Sequence, residues 1–109
     1  MNDLIKEIND FRDERNWRPY NTPKSLAISI SLEASELLEN FQWCSSEEAV
    51  SATFENIQEE LADVLIYSLM LASDLELDVS TIIREKLKKN ALKYPVDPNS
   101  SNNDPYLLK

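Results

Sequence analysis

The sequence predicts an all-α fold, and three observations carry that reading. It has no glycine in 109 residues, it is rich in leucine and glutamate, and its apolar residues recur at helical spacing. The points where that spacing starts and stops define four helices and a tail. The first helix, about Asp3 to Arg15, sets Leu4, Ile8 and Phe11 on one side. It ends before the Trp17-Arg18-Pro19-Tyr20 connector, because the residue preceding a proline is biased away from helix. Thr22 is the predicted N-cap of the second helix, with Pro23 at the first helical position, where its missing N–H costs nothing. That helix is expected to reach about Trp43. Ser45 followed by Glu48 matches a capping box and opens the third helix. Ile57, Leu61, Val64, Leu65, Leu69 and Leu71 continue it to about Leu75. A bend is expected near Ser51 to Thr53, where hydroxyl side chains compete for backbone hydrogen bonds. Asp78 caps the fourth helix, which carries Val79, Ile82, Ile83 and Leu87 and finishes in Lys88, Lys89 and Lys93, the charge a helix C-terminus favours. Pro95 and Pro98 stop it. Residues 1–95 therefore read as one domain and 96–109 as a flexible C-terminal tail, in which a polar linker from Asp97 to Asp104 leads to Pro105-Tyr106-Leu107-Leu108.

Composition removes several kinds of chemistry. The chain has one cysteine, Cys44, and no histidine, so a disulfide framework, a zinc site and a Ser-His or Cys-His pair lack their parts. Cys44 reads as a plain reduced thiol. Phosphate-cradling loops need glycine where backbone must approach phosphate closely, and none is present. A net charge of −9 argues against nucleic acid as a partner, since that affinity comes from Lys and Arg neutralising phosphates. No apolar run is long enough to span a membrane. The first residues lack the apolar stretch of a signal peptide, so the expected location is the cytoplasm. A chain of this size buries only about two thirds of the surface it exposes when unfolded, which favours self-association.

Charge is also segregated along the chain. From Ser25 to Ile83 there are 12 Asp or Glu and no Lys or Arg. Within that segment Glu33 and Glu36 lie three apart and share a helix face, as do Glu60 and Asp63. A solvated surface is the ordinary explanation for such acids. Here the pairs sit in or beside the apolar stripe, next to Ile30, Leu37, Ile57, Val64, Ile66 and Tyr67, and none has a basic residue three or four positions away. Like charges in a partly buried site repel and raise one another's pKa unless a cation neutralises them. Carboxylates without His or thiolate suit a hard ion. Mg²⁺ takes a few carboxylates and shares its remaining positions with water and phosphate oxygens, and Mn²⁺ can substitute. Glu39 and Glu59 are candidates for outer positions, with plain surface as the alternative for Glu39.

The pattern Glu33-Ala-Ser-Glu36 followed by Glu59-Glu60-Leu-Ala-Asp63 resembles the Glu-x-x-Glu and Glu-x-x-Asp signature of the MazG-like, all-α nucleoside triphosphate pyrophosphohydrolases. The similarity runs over roughly Leu4 to Pro95. Phe11-Arg-Asp-Glu-Arg-Asn-Trp17, Leu38-Glu-Asn-Phe-Gln-Trp43 and Asp63-Val-Leu-Ile-Tyr67 look closest to the dCTP pyrophosphatase branch. The resemblance implies a four-helix fold whose dimer forms a four-helix-bundle core, with tetramers frequent and residues of a neighbour completing each site. It implies hydrolysis of dCTP or a 5-modified dCTP to the monophosphate and pyrophosphate, with Glu33, Glu36, Glu60 and Asp63 as metal ligands and catalytic residues. It also implies that Trp17, Trp43 and Tyr67 line the base and sugar pocket, and that Lys86 and Asn90, near Lys93-Tyr94-Pro95, face phosphate. Read as residues alone, each of the three aromatics also suits a core position, and the terminal lysines also suit the helix dipole. The histidine that some dCTP-specific relatives carry early in the fold has no counterpart here. The competing class is a non-catalytic acidic helical oligomer that binds nucleotides or proteins.

Overall fold

The computed structural model describes residues 1–97, and within them the element order is α1 (Asn2–Glu14), α2 (Pro23–Glu39), α3 (Ser46–Asp74) and α4 (Val79–Lys93). Among the described residues no strand occurs. The expectations for Pro98 onward, including the Tyr106-Leu107-Leu108 segment, lie outside the described residues. The helices fall in two compact units, Met1–Glu76 with α1, α2 and α3, and a second from Leu77 with α4.

The helix starts follow local chemistry. Thr22 Oγ1 accepts from the Ser25 N–H at 3.1 Å, with Pro23 at the first helical position. At α3 the box is reciprocal: Ser45 Oγ accepts from the Glu48 N–H at 3.1 Å, and the Ser45 N–H donates to Glu48 Oε1 at 3.3 Å. Asp78 Oδ2 accepts the Thr81 N–H at 3.0 Å and opens α4. Because the Ser45 side chain satisfies an otherwise unpaired N–H, Ser45→Ala is expected to cost about 1 kcal/mol in a urea unfolding curve. A change below about 0.3 kcal/mol would show that the start of α3 is fixed by packing instead.

α3 has 29 residues and is bent where the sequence suggested: Thr53 leaves helical geometry (φ −129°, ψ 31°). Its Oγ1 donates to the Ala49 carbonyl oxygen at 2.9 Å, a side-chain substitute for a backbone bond. The end of α2 differs from expectation, falling at Glu39 rather than near Trp43. Asn40 is the reason. Its side-chain amide donates to the Leu37 carbonyl at 3.2 Å while the Asn40 and Phe41 N–H groups turn back to Leu37 and Leu38. These i→i+3 bonds tighten the last turn and satisfy carbonyls that another helical turn would have used.

α1 ends in a Schellman motif. Asn16 takes a left-handed conformation (φ 56°), which asparagine tolerates better than most residues. The Trp17 N–H donates to the Arg12 carbonyl at 3.0 Å and the Asn16 N–H to that of Asp13 at 3.1 Å. The Phe11 and Trp17 rings then meet edge to face, 5.5 Å between centroids.

α2 packs along α3, and α1 makes a smaller contact with α3. The core between them is thin: Ile8, Leu26, Ala49, Leu69, Met70 and Ala72. Arg12 joins it with no exposed surface at all. Its guanidinium grips Asp74 with two N–H groups, Nη1 to Oδ2 at 2.9 Å and Nη2 to Oδ1. Nε and Nη2 also donate to Asn9 Oδ1. Arg18 adds a second guanidinium to Asp74 Oδ1 at 2.9 Å and bonds Asp13 on its other side. One acid of the cation-free segment thus takes its counter-charge from α1 and the connector.

Candidate metal centre

α2 packs along α3, and this brings Glu60 of the second acidic pair against the first. Carboxylate oxygens of Glu33, Glu36 and Glu60 lie within 4.8 Å of each other. Asp63 stands one turn beyond Glu60, outside that tight group, yet its charge acts on both Glu33 and Glu60. Glu33 Oε2 and Glu60 Oε2 are buried and accept no hydrogen bond from protein. Buried polar atoms are ordinarily satisfied, so these two oxygens leave room for a partner other than protein, a water or a cation.

The electrostatics agree. Burial, then the neighbouring carboxylates of Glu36, Glu60 and Asp63, push the Glu33 carboxyl up to about 7. Glu60 is also raised, first through its interaction with Glu36 and next by burial. Carboxylates this close disfavour one another's ionisation unless a cation compensates them. An all-oxygen, all-carboxylate set of this kind suits a hard divalent ion. Among the described residues this is the cluster of acids able to hold one.

Beside it lies a cavity of about 420 Å³ lined by Arg15, Trp17, Tyr20, Asn21, Ser25, Ser29 and Tyr67. Tyr67 connects the two regions. It lines the cavity, and its phenol is raised by burial and then by the charges of Glu33, Asp63 and Glu36. Trp17 is delivered by the Schellman turn after α1. Of the three aromatic residues singled out in the sequence, the fold brings Trp17 and Tyr67 together. It leaves Trp43 outside the cavity lining, 93% exposed in the turn that follows the early end of α2. Lys86 and Asn90 lie on α4, four residues apart, Lys86 exposed and Asn90 half-buried. Glu39 and Glu59 are exposed, as is the free thiol of Cys44.

Spacing did not reveal Arg15, Tyr20, Asn21, Ser25 or Ser29. Their place in the cavity depends on how the connector folds back, and the one local signal was Asn16, a residue suited to the left-handed position that ends α1.

Comparison with known proteins gives the family and the fold. The model of the MazG-like family matches residues 28–106. dCTP pyrophosphatase 1 of Rattus norvegicus is 33% identical over 101 residues, which is 88% of this chain and 59% of that protein. The Homo sapiens protein of the same name is 31% identical over 100 residues, 87% of this chain and 59% of its own. The chain therefore spans somewhat under two thirds of the length of these curated relatives. A solved structure, a pyrophosphatase from Archaeoglobus fulgidus, superimposes with a TM-score of 0.84 at 44% identity, covering 88% of this chain and 93% of that one.

Proposed function

Because this chain belongs to the MazG-like family, we propose that it is a Mg²⁺-dependent nucleoside triphosphate pyrophosphohydrolase acting on dCTP or a 5-modified dCTP. The products are the monophosphate and pyrophosphate, a reaction that clears unwanted nucleotides from the pool. The observation that carries this reading is the pair of buried, unmet carboxylate oxygens on Glu33 and Glu60, set beside a cavity with aromatic walls. Glu33, Glu36, Glu60 and Asp63 hold the metal. Mg²⁺ bound there supplies charge neutralisation for the triphosphate and for the leaving pyrophosphate, and a polarised water.

The chain's own groups do the rest. Trp17 and Tyr67 offer flat apolar faces for the base and sugar. Glu33, half-buried and held neutral by its surroundings in the bare chain, is ionised once a cation is present. Lys86 and Asn90, one turn apart on α4, are assigned to phosphate. Trp43 is assigned to a pocket completed across a subunit contact, since the single chain leaves it in solvent. Ile28 and Leu32 on α2 and Leu61 and Leu65 on α3 are each about half exposed. Large apolar side chains in such i, i+4 pairs favour a homodimer or homotetramer.

The direct test is product analysis by anion exchange for each canonical dNTP and for 5-methyl-dCTP, with Mg²⁺. Monophosphate and pyrophosphate are expected, with the highest kcat/KM for the cytosine nucleotides. If no triphosphate gives monophosphate, the assignment is wrong. If another base is preferred, the reaction stands and the cytosine preference falls.

A further inference from the structure

The polar groups on the cavity wall are not equivalent. Arg15 Nη1 donates to the Phe11 carbonyl oxygen at 2.7 Å, with the guanidinium lying over the Phe11 ring. Ser25 Oγ is occupied by the carbonyl oxygens of Tyr20 at 2.7 Å and Thr22 at 3.0 Å. Asn21 differs: its side-chain Oδ1 is buried and has no hydrogen-bond partner. Apart from the metal-site oxygens of Glu33 and Glu60, it is the buried side-chain polar atom left unmet among the described residues.

The backbone under it is fixed. The Asn21 N–H donates to the carbonyl oxygens of Trp17 at 3.0 Å and Arg18 at 3.2 Å. The next residue, Thr22, caps α2. An amide held on a rigid turn, between an aromatic connector and a helix start, does not reach its unmet state through slack in the chain. A buried acceptor without a donor is unfavourable, and a ligand that brings an N–H to it removes that cost.

We infer that Asn21 is a specificity-determining residue that reads the edge of the base: its Oδ1 accepts an N–H of the nucleobase held between Trp17 and Tyr67. This rests on the reading of the cavity as a nucleotide pocket. With cytosine as the base, the donor is the exocyclic amine. A base edge entering the cavity displaces no existing partner of that oxygen, so the contact is gained without breaking another.

The test compares dCTP with the triphosphate of 2-pyrimidinone deoxyriboside, which has the same ring and sugar but lacks the amine. kcat/KM is measured for both on the wild type, on Asn21→Ala and on Asn21→Leu, the second of which keeps the cavity filled. The wild type should favour dCTP by roughly tenfold to a hundredfold, the scale of one hydrogen bond to a buried group. Both variants should lose most of that preference, their two kcat/KM values coming within a few-fold of each other. Since the readout is a ratio within each protein, partial misfolding of a variant cancels. If the wild type treats the two alike, or if the variants slow both substrates by the same factor, Asn21 does not read the amine. Failure of the underlying assignment looks different: the wild type itself would give no monophosphate from dCTP.

Discussion

Glu33→Gln and Glu60→Gln are each expected to reduce kcat by about 10²- to 10³-fold, corresponding to several kcal/mol of lost charge stabilisation at the metal. Gln keeps the size of the side chain and removes the charge, so the fold should survive. Mg²⁺ should raise the melting temperature of the wild type and have little effect on either variant. The same substitutions should have the opposite effect on the bare protein. In the metal-free chain Glu33 titrates near 7 when folded, against an ordinary value of 4.5. Between those two pH values the folded state holds more protons than the unfolded state, so stability falls as pH rises through the interval and stays low above it. The groups facing Glu33 are Glu36, Glu60, Asp63 and Tyr67, and none of them is basic. With EDTA, Glu33→Gln should therefore melt above the wild type at pH 8, with the gap closing towards pH 4.5. A variant that retains turnover, or one that melts below the wild type at pH 8 without metal, would contradict the assignment of these oxygens to a cation.

The second large effect is on stability alone. Asp74→Asn is expected to destabilise the chain by about 3–5 kcal/mol, because it leaves the guanidinium of Arg12 in the core without its counter-charge. That is a large share of the roughly 5–15 kcal/mol that holds a domain of this kind together. Arg18→Ala should cost at most about 1 kcal/mol, since its side chain is 44% exposed and its ion pairs are screened. The double change Arg12→Met with Asp74→Leu should recover most of the loss, as removing both members of a buried pair leaves nothing unpaired. Urea unfolding of the four proteins decides it. A loss below about 1 kcal/mol for Asp74→Asn would mean that Arg12 reaches water or another acid when Asp74 is neutral.

Features that depend on neighbours within a helical turn are legible in the amino-acid sequence. The caps at Thr22, Ser45 and Asp78, the bend at Thr53 and the two acid pairs are all of this kind, because three- and four-residue spacing fixes which side chains can meet. The family resemblance, carried by the same two acid pairs, is legible for the same reason. What depends on distant parts of the chain is not. Arg12 and Asp74 are 62 positions apart, and nothing in the sequence marks Arg12 as the basic residue that enters the core. The cavity wall at Tyr20, Asn21, Ser25 and Ser29 depends on the path of a connector. The early end of α2 turns on Asn40, whose amide takes the carbonyls of the last turn, and that moves Trp43 off the helix and into solvent.

The irregular backbone on either side of the α3 start also decides where this chain can change length. A residue added in the turn after Asn40, or beside Thr53, enters backbone outside regular α-helix and can be absorbed there, so everything after it keeps its facing. A residue added between Glu60 and Leu69 has no such outlet. It would turn the acids on one side of the insertion by about 100° relative to the buried residues on the other. Length can thus change in that turn or beside Thr53, whereas the spacing from Glu60 to Leu69 is fixed by the facing of the acids and the core on one helix.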